Sequence, residues 1–223
     1  MSDENRIRLI ATQPIRGRII DKNGLILADS RSKYSLIIKP QYVNERMWQK
    51  YKSKISQLLD ISSDSIQKKY SDGLKNKKFT ITLLEDLKVE QVIKFKENEH
   101  TLNGVEILSK LIRNYPYKDV ASHVIGYTQP ITDLEFNILS KRGYKLNDLI
   151  GRTGIEFAYE DQIRGEWGGE MIEVNSSGTF TKSLGIKPSK QGKDVELTID
   201  MNLQLVAERV LKDKSGGAII VMD

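Results

Sequence analysis

The sequence has no cysteine and only two histidines. Without cysteine there are no disulfides and no thiolate-held metals, although the compartment stays open, because many exported bacterial proteins also lack disulfides. His100 and His123 fall on different predicted elements, with no carboxylates at metal-ligand spacing, which favours structural or surface roles over metal ligation. No signal peptide is legible, and no apolar run approaches the ~18 residues that a membrane span needs. A one-sided basic face is missing too. Lys and Arg number 35 against 30 Asp and Glu, a net charge of +5, but the signs are mixed along the chain, which argues against a nucleic-acid partner. There is no internal repeat. What remains is an ordinary globular composition, 39% hydrophobic and 29% charged over 223 residues, enough for one large or two small cores.

Local patterns predict mixed helices and strands. "IRGRIIDKNGLILADS" reads as two short strands around Asp21-Lys22-Asn23-Gly24, where Asn and Gly tolerate positive φ, and "YSLIIKP", ending at Pro40, as a third. Met47, Tyr51, Ile55, Leu58 and Leu59 recur at helical spacing between Asn44 and Asp60, and a short helix follows from Asp64 to Tyr70. "KFTITLL" predicts a strand. "EDLKVEQVIKFKENEH" predicts a helix using Leu87, Val89, Val92 and Ile93, and "GVEILSKLIRNYP" a strand closed by Pro116. Beyond residue 119, "TDLEFNILSKRG" predicts a helix capped by Thr132 or Asp133 and stopped at Gly143. A second helix runs from Gly154 to Ile163, with Glu160 and Arg164 at i,i+4 in the favourable order. "GEMIEVNSSGTFTKSLG" predicts a hairpin turning at Ser177-Gly178. "KDVELTID" predicts a strand that delivers Asp200 to the N-terminus of the helix "MNLQLVAERVLKD". The apolar, β-branched run Ala218 to Met222 predicts a strand buried on both faces.

Five stretches, in order, resemble one family: "RGRIIDKNG" (Arg16, Gly17, Asp21, Asn23, Gly24), "RNYP" with "HVIGY" (Arg113, Tyr115, Pro116, His123, Gly126), "GRTGIEFAYEDQIRG" (Gly151, Gly154, Glu156, Arg164, Gly165), "EVNSSG", and "LTIDMNLQ" (Asp200, Gln204) leading into "GGAIIVMD". They resemble the non-catalytic N-terminal part of class B penicillin-binding proteins, and "ENRIRLIATQPIRGRI" is similar to the elongation type, penicillin-binding protein 2. Lys22 stands where that family usually has Arg. Lys118 stands where it usually has Gly, which puts the tight turn after "RNYP" in doubt.

The resemblance implies an α+β fold: an elongated pedestal, or dimerisation domain, of short antiparallel strands and helices with a helical and β head inserted. Residues 1–40 and 111–200 would form the pedestal and 41–110 the head, with links near Pro40 and at Asn114 to Pro116 that suit a hinge. Residues 201–223 would open a transpeptidase domain whose nucleophile lies further on. It also implies a preceding membrane helix that anchors the whole protein in the bacterial inner membrane, with this region, itself soluble, in the periplasm. The partners implied are the protein's own transpeptidase domain, a glycan polymerase and a shape-determining scaffold protein, with no cofactor and no metal. A septal-type pedestal and a free-standing peptide- or glycan-binding module are the alternatives.

A complete enzyme would need a Ser-x-x-Lys nucleophile, a Ser-x-Asn and a Lys-Ser/Thr-Gly. Ser30 to Lys33, Ser65 to Lys68 and Lys214-Ser215-Gly216 match formally, but in the wrong context: a strand connection, a polar helix, and a position before the last strand instead of on it. Glu156 and Glu160 read as salt-bridging carboxylates beside Arg164, and Tyr115 and Tyr127 as core packing. Arg16 and Arg113 each precede a sharp turn, where five guanidinium donors can hold several carbonyls or a buried carboxylate.

Overall fold

The computed structural model describes residues 6–146, 148–175, 180–214 and 216–222. Along the chain run β1 (Arg6–Thr12), β2 (Ile19–Ile20), β3 (Ile26–Ile38), α1 (Glu45–Leu59), α2 (Ser63–Lys75), β4 (Ile81–Leu84), α3 (Val89–Asn98) and β5 (Val105–Asn114). There follow α4 (Ser122–Ile125), β6 (Thr128–Pro130), α5 (Asp133–Leu139), β7 (Leu149–Gly151), α6 (Gly154–Ala158), α7 (Glu160–Ile163), β8 (Gly168–Val174), β9 (Phe180–Lys187), β10 (Val195–Glu196) and α8 (Met201–Leu211). This is an α+β fold, as the sequence implies. The chain divides into two compact units, residues 1–31 with 113–223, and residues 32–112.

The unit 32–112 is built on apolar packing. The α1 helix starts because the Asn44 side chain accepts from the Met47 backbone N–H at 2.9 Å, and stops where Asp60 turns left-handed at φ 55°. Its buried stripe is Trp48, Tyr51, Ile55 and Leu59. Trp48 stacks on Tyr70 of α2 with ring centroids 3.8 Å apart, and its indole N–H donates to Gln67 at 2.9 Å, so the ring is buried with its one donor satisfied. The end of β3, Leu36 to Ile38, pairs antiparallel with β4, and Ile81 of β4 fills the space that a side chain on Gly73 would need. The third helix begins later than its apolar pattern suggests. Leu87 is buried ahead of the helix, Val89 and Ile93 are exposed, and Phe95 is the side chain that fills the core.

In the other unit, β2 pairs antiparallel with the start of β3 and parallel with β10, and Ile19, Leu27, Ala28, Ala121, Ile125, Ile163, Val195 and Met201 form the core. A separate antiparallel sheet has the order β1-β8-β9. One of its faces buries Ile172 and Val174. Of the two caps expected for α5, Thr132 is the N-cap, and it forms a capping box: Thr132 accepts from the Glu135 N–H, and the Glu135 side chain accepts from the Thr132 N–H. Glu135 also pairs with Arg152, and that bond together with the cap holds its carboxyl down to about 2.

Several expectations are corrected. The first strand, β1, has no counterpart in the sequence reading. The second and third predicted strands are one continuous strand, β3. The predicted helix 154–163 breaks at Tyr159 (φ −108°, ψ 18°) into α6 and α7. The strand before Asp200 shrinks to Val195–Glu196. The predicted turn at Ser177-Gly178 lies outside the described residues. Residues 216–222 form no strand where described, with Ile220 80% exposed. A strand exists only by pairing, and no described strand runs beside this segment. Tyr127 is 47% exposed and not part of the core.

The tight turn after "RNYP" does form. The Lys118 N–H donates to the Tyr115 carbonyl at 2.9 Å, and Lys118 adopts φ +57°, a conformation that costs an L-residue about 1–2 kcal/mol and glycine almost nothing. The Lys118→Gly variant is therefore expected to gain about 1 kcal/mol, a rise in Tm of about 2–4 °C, less whatever glycine adds to unfolded-chain entropy. Differential scanning calorimetry checks it, and a fall in Tm contradicts it.

Candidate functional site

The centre of the first unit is a carboxylate. Glu156, on α6, is fully buried. Arg16 Nε donates to its Oε2 at 2.8 Å and Arg113 Nε to its Oε1 at 2.7 Å, while the Tyr115 hydroxyl donates to Oε1 at 3.3 Å. Arg16 Nη2 also reaches the Glu156 carbonyl at 3.1 Å and Glu160 Oε2 at 2.6 Å, and Arg113 Nη1 donates to the Gly17 carbonyl at 2.7 Å. Glu160 is completed by the Tyr144 hydroxyl at 3.0 Å and the Gly151 N–H at 3.0 Å. Two guanidiniums thus face two carboxylates, and the formal charge of the group is zero. Burial alone would lower the Arg16 pKa, but Glu160 and Glu156 outweigh it and hold the group above its usual value. Burial and then the Glu160 charge push the Tyr144 hydroxyl up to about 12.

The structure therefore brings together Arg16, Gly17, Arg113, Tyr115, Gly151 and Glu156. Gly151 has to be a glycine, because a Cβ there would lie 2.0 Å from the Glu156 carbonyl oxygen; at Gly126, with φ +79°, one would lie 1.9 Å from that of Thr153. Arg164 does not pair with Glu160 as its spacing suggests. It donates to the carbonyls of Arg142 and Gly143 at 3.1 and 2.6 Å, lies 3.4 Å from Asp148 and stacks over the Tyr144 ring. The break at Tyr159 separates the two residues' roles: Glu160 opens α7 and is taken by buried donors, while Arg164 follows its end. Tyr144 and Asp148 had no local signal, because single polar residues in a loop reveal nothing of partners that are chosen in space.

A second cluster forms around Asp21, also fully buried. Its Oδ1 accepts from the N–H groups of Asn23 and Leu25, each at 2.8 Å, and its Oδ2 from the first N–H of α8, at Met201, at 3.0 Å. Asp200 accepts from the next two, at Asn202 and Leu203, and is paired with Lys22 at 3.2 Å and Asn23 at 3.3 Å. Gly24 closes this turn at φ +82°. Two carboxylates thus satisfy three of the free donors at the start of α8. Within α8, Gln204 donates to Glu208, which accepts from the Ala121 N–H at 2.6 Å. Burial works against the charge on Asp21, but its backbone donors outweigh burial and hold the carboxyl below the usual range. Asp200 is also held down, first by the Leu203 N–H and then by Lys22 and Asn23.

Pro116 and His123 are exposed and join neither cluster, while Gly154 and Gly165 take positive φ at close backbone approaches. Of the formal nucleophile motifs, Ser30 lies in β3 with its hydroxyl 3.4 Å from the Arg16 carbonyl, Ser65 is exposed in α2, and Ser215 lies outside the described residues. Every close partner of Glu156 and Asp21 is a donor that fixes the carboxylate in place. Such an arrangement positions backbone.

The chain belongs to the penicillin-binding protein dimerisation domain family, whose model matches residues 11–197. It is 34% identical over 227 residues to the peptidoglycan D,D-transpeptidase MrdA of Escherichia coli strain K12, an alignment covering 100% of this chain and 35% of that protein. The chain thus spans about a third of this relative's length. The fold is similar to that of a complex between Penicillin-Binding Protein (PBP2) and MreC from Helicobacter pylori, with TM-score 0.70 and 19% identity over 96% of this chain and 39% of the other. It is also similar to a chain of a peptidoglycan synthase complex that coordinates polymerization and crosslinking, with TM-score 0.71 and 23% identity over 96% and 33%. Among the described residues no helix is long and apolar enough to cross a membrane.

Removal of the central negative charge leaves the buried Arg113 guanidinium without a counterion, while Arg16 keeps Glu160. Glu156→Gln is expected to cost about 3–5 kcal/mol, the penalty of breaking a buried ion pair by removing one partner, read as the midpoint shift in urea. A loss below about 1 kcal/mol would show that the group relaxes to water.

The Asp21 carboxyl has a folded pKa below its unfolded value of about 3.9, so its contribution is fully present above pH ~4 and is lost as pH falls through the folded value. Asp21→Asn is accordingly expected to be less stable at neutral pH and to lose less on acidification, giving a shallower acid limb in unfolding series from pH 7 to 2. An acid limb as steep as that of the parent chain contradicts it.

Proposed function

We propose that this chain is the non-catalytic N-terminal pedestal of a peptidoglycan D,D-transpeptidase of the penicillin-binding protein 2 type. Its role is to position the catalytic domain and to offer surfaces to elongation-complex partners during cell-wall synthesis. The observation that carries the proposal is the alignment of the whole chain with about a third of a D,D-transpeptidase, within a dimerisation-domain family. In this reading residues 1–40 and 111–200 are the pedestal, 41–110 the head and 201–223 the opening of the transpeptidase domain. The full protein cross-links stem peptides through a serine outside these 223 residues, and a membrane helix preceding this region anchors it in the inner membrane with the region in the periplasm. A glycan polymerase and a shape-determining scaffold are the partners, in keeping with the solved assemblies of similar fold, one of which contains MreC.

The Asp21 cluster supplies the mechanical element of this role. A domain continuing from α8 would inherit its orientation from the clasp between Asp21 and the Met201 N–H, because the first turn of the helix has no freedom to swing while that bond holds.

Fluorescent penicillin tests the proposal. The 223-residue chain is expected to stay unlabelled, while the full-length protein is labelled, and full-length Asp21→Asn keeps its label but cross-links less glycan. Stoichiometric acylation of the chain, located by mass spectrometry at Ser30, Ser65 or any other serine, would overturn it.

A further inference from the structure

The face of the β1-β8-β9 sheet opposite Ile172 and Val174 forms the floor of a groove of about 680 Å³. Cross-strand partners share a face, so Leu9 opposite Met171, and Met171 opposite Gly185, make an apolar strip across the three strands. At β9 the strip ends in a gap. Gly185 has no side chain, and a Cβ built there meets nothing within 4 Å. Trp167 lines the groove, with the Lys145 ammonium 4.8 Å from its ring centroid, and Arg142, Arg164 and Lys187 complete a rim of four cations against the single carboxylate of Glu166.

That rim is incompletely neutralised. Arg142 pairs with Asp161, Arg164 with Asp148, and Glu166 is taken by Lys190. Lys145 and Lys187 have no carboxylate partner among the described residues. The strand that supplies Gly185 to Lys187 is also an edge: β9 pairs with β8 on one side, all eight of its residues are exposed, and its outer N–H and C=O groups have no ladder partner among the described residues.

We propose that this groove binds an extended segment of a partner protein that presents apolar side chains and carboxylates two residues apart, on the same face of the strand. The apolar side chains fill the gap at Gly185 beside Leu9 and Met171, the carboxylates reach Lys145 and Lys187, and the segment's backbone hydrogen-bonds along β9. The free edge favours a peptide over an anionic lipid. Both satisfy the rim, but an acyl chain has no use for the unpaired backbone groups of β9. The groove stands apart from the transpeptidase reading, since the test uses this chain alone, and labelling by penicillin would sink that reading without touching this one.

The probe is a fluorescein-labelled decapeptide with Val and Glu at successive odd positions and Ser between them, so that both face the groove, compared with its counterpart carrying Lys in place of Glu and with phosphatidylglycerol vesicles. Fluorescence anisotropy is expected to show the acidic peptide binding at least about tenfold more tightly than the basic one. Gly185→Leu, which fills the gap and whose Cβ meets nothing within 4 Å, and Lys187→Glu are each expected to weaken it by about tenfold or more, with circular dichroism unchanged. Vesicles should compete poorly. Absence of binding, equal binding of the two peptides, affinity unaltered in both variants, or full displacement by vesicles would each overturn the proposal.

Discussion

The fold of the first unit depends on a buried carboxylate bound by two arginines that are far away in sequence, Arg16 at a separation of 140 residues and Arg113 at 43. Burying three ions costs several kcal/mol each, and the cost is offset only when the geometry is good; here one buried donor, Arg113 Nη2, has no partner, so the remaining contacts have to be close. That condition makes the group selective. Both Glu156 oxygens are taken, Arg16 is shared with Glu160, and Arg113 is anchored to the Gly17 carbonyl, so the start of β2, the end of β5 and helices α6 and α7 meet in one arrangement. A hydrophobic contact of the same size would tolerate sliding. An ion cluster held from two sides, by Arg16 on Oε2 and Arg113 on Oε1, does not.

The second clasp sits on the same short segment. Arg16 and Asp21 bracket β2, whose Ile19 is a fully buried core residue, so one stretch of six residues carries an ion cluster at one end, an apolar anchor in the middle and a helix cap at the other. The two ends use different chemistry. Glu156 is neutralised by full charges. Asp21 is held by neutral N–H groups at a turn and at the positive end of the α8 dipole, an environment that favours the anion without a cation in contact.

The unit 32–112 relies on neither device. Its charged pairs, such as Lys33 with Glu85 and Lys39 with Glu106, lie at partly exposed sites where an ion pair contributes little. Its order comes from the stack of Trp48 on Tyr70 and from the fully buried Ile55, Ile66, Leu83, Phe95 and Leu102 around it. The β1-β8-β9 sheet is different again, with one apolar face buried and the other lining an open groove.

Much of this was legible in the residues alone. Thr132 and Asp200 announce their helices because a cap involves neighbours within three residues, and the Asp21 to Gly24 turn is likewise a local matter. The five ordered motifs identify the family, and Arg16 and Arg113 stand out as guanidiniums beside turns. Other features were decided only in three dimensions. That both arginines converge on Glu156, that Glu160 turns to Arg16 and Tyr144 instead of Arg164, and that Tyr127 stays in solvent depend on which segments approach each other. The left-handed Lys118 shows that a turn suited to glycine can hold a lysine when the surrounding chain fixes it there. The apolar run from Ala218 to Met222 has the composition of a buried strand and forms none among the described residues, because side-chain pattern states a preference while a strand requires a partner to supply the hydrogen bonds.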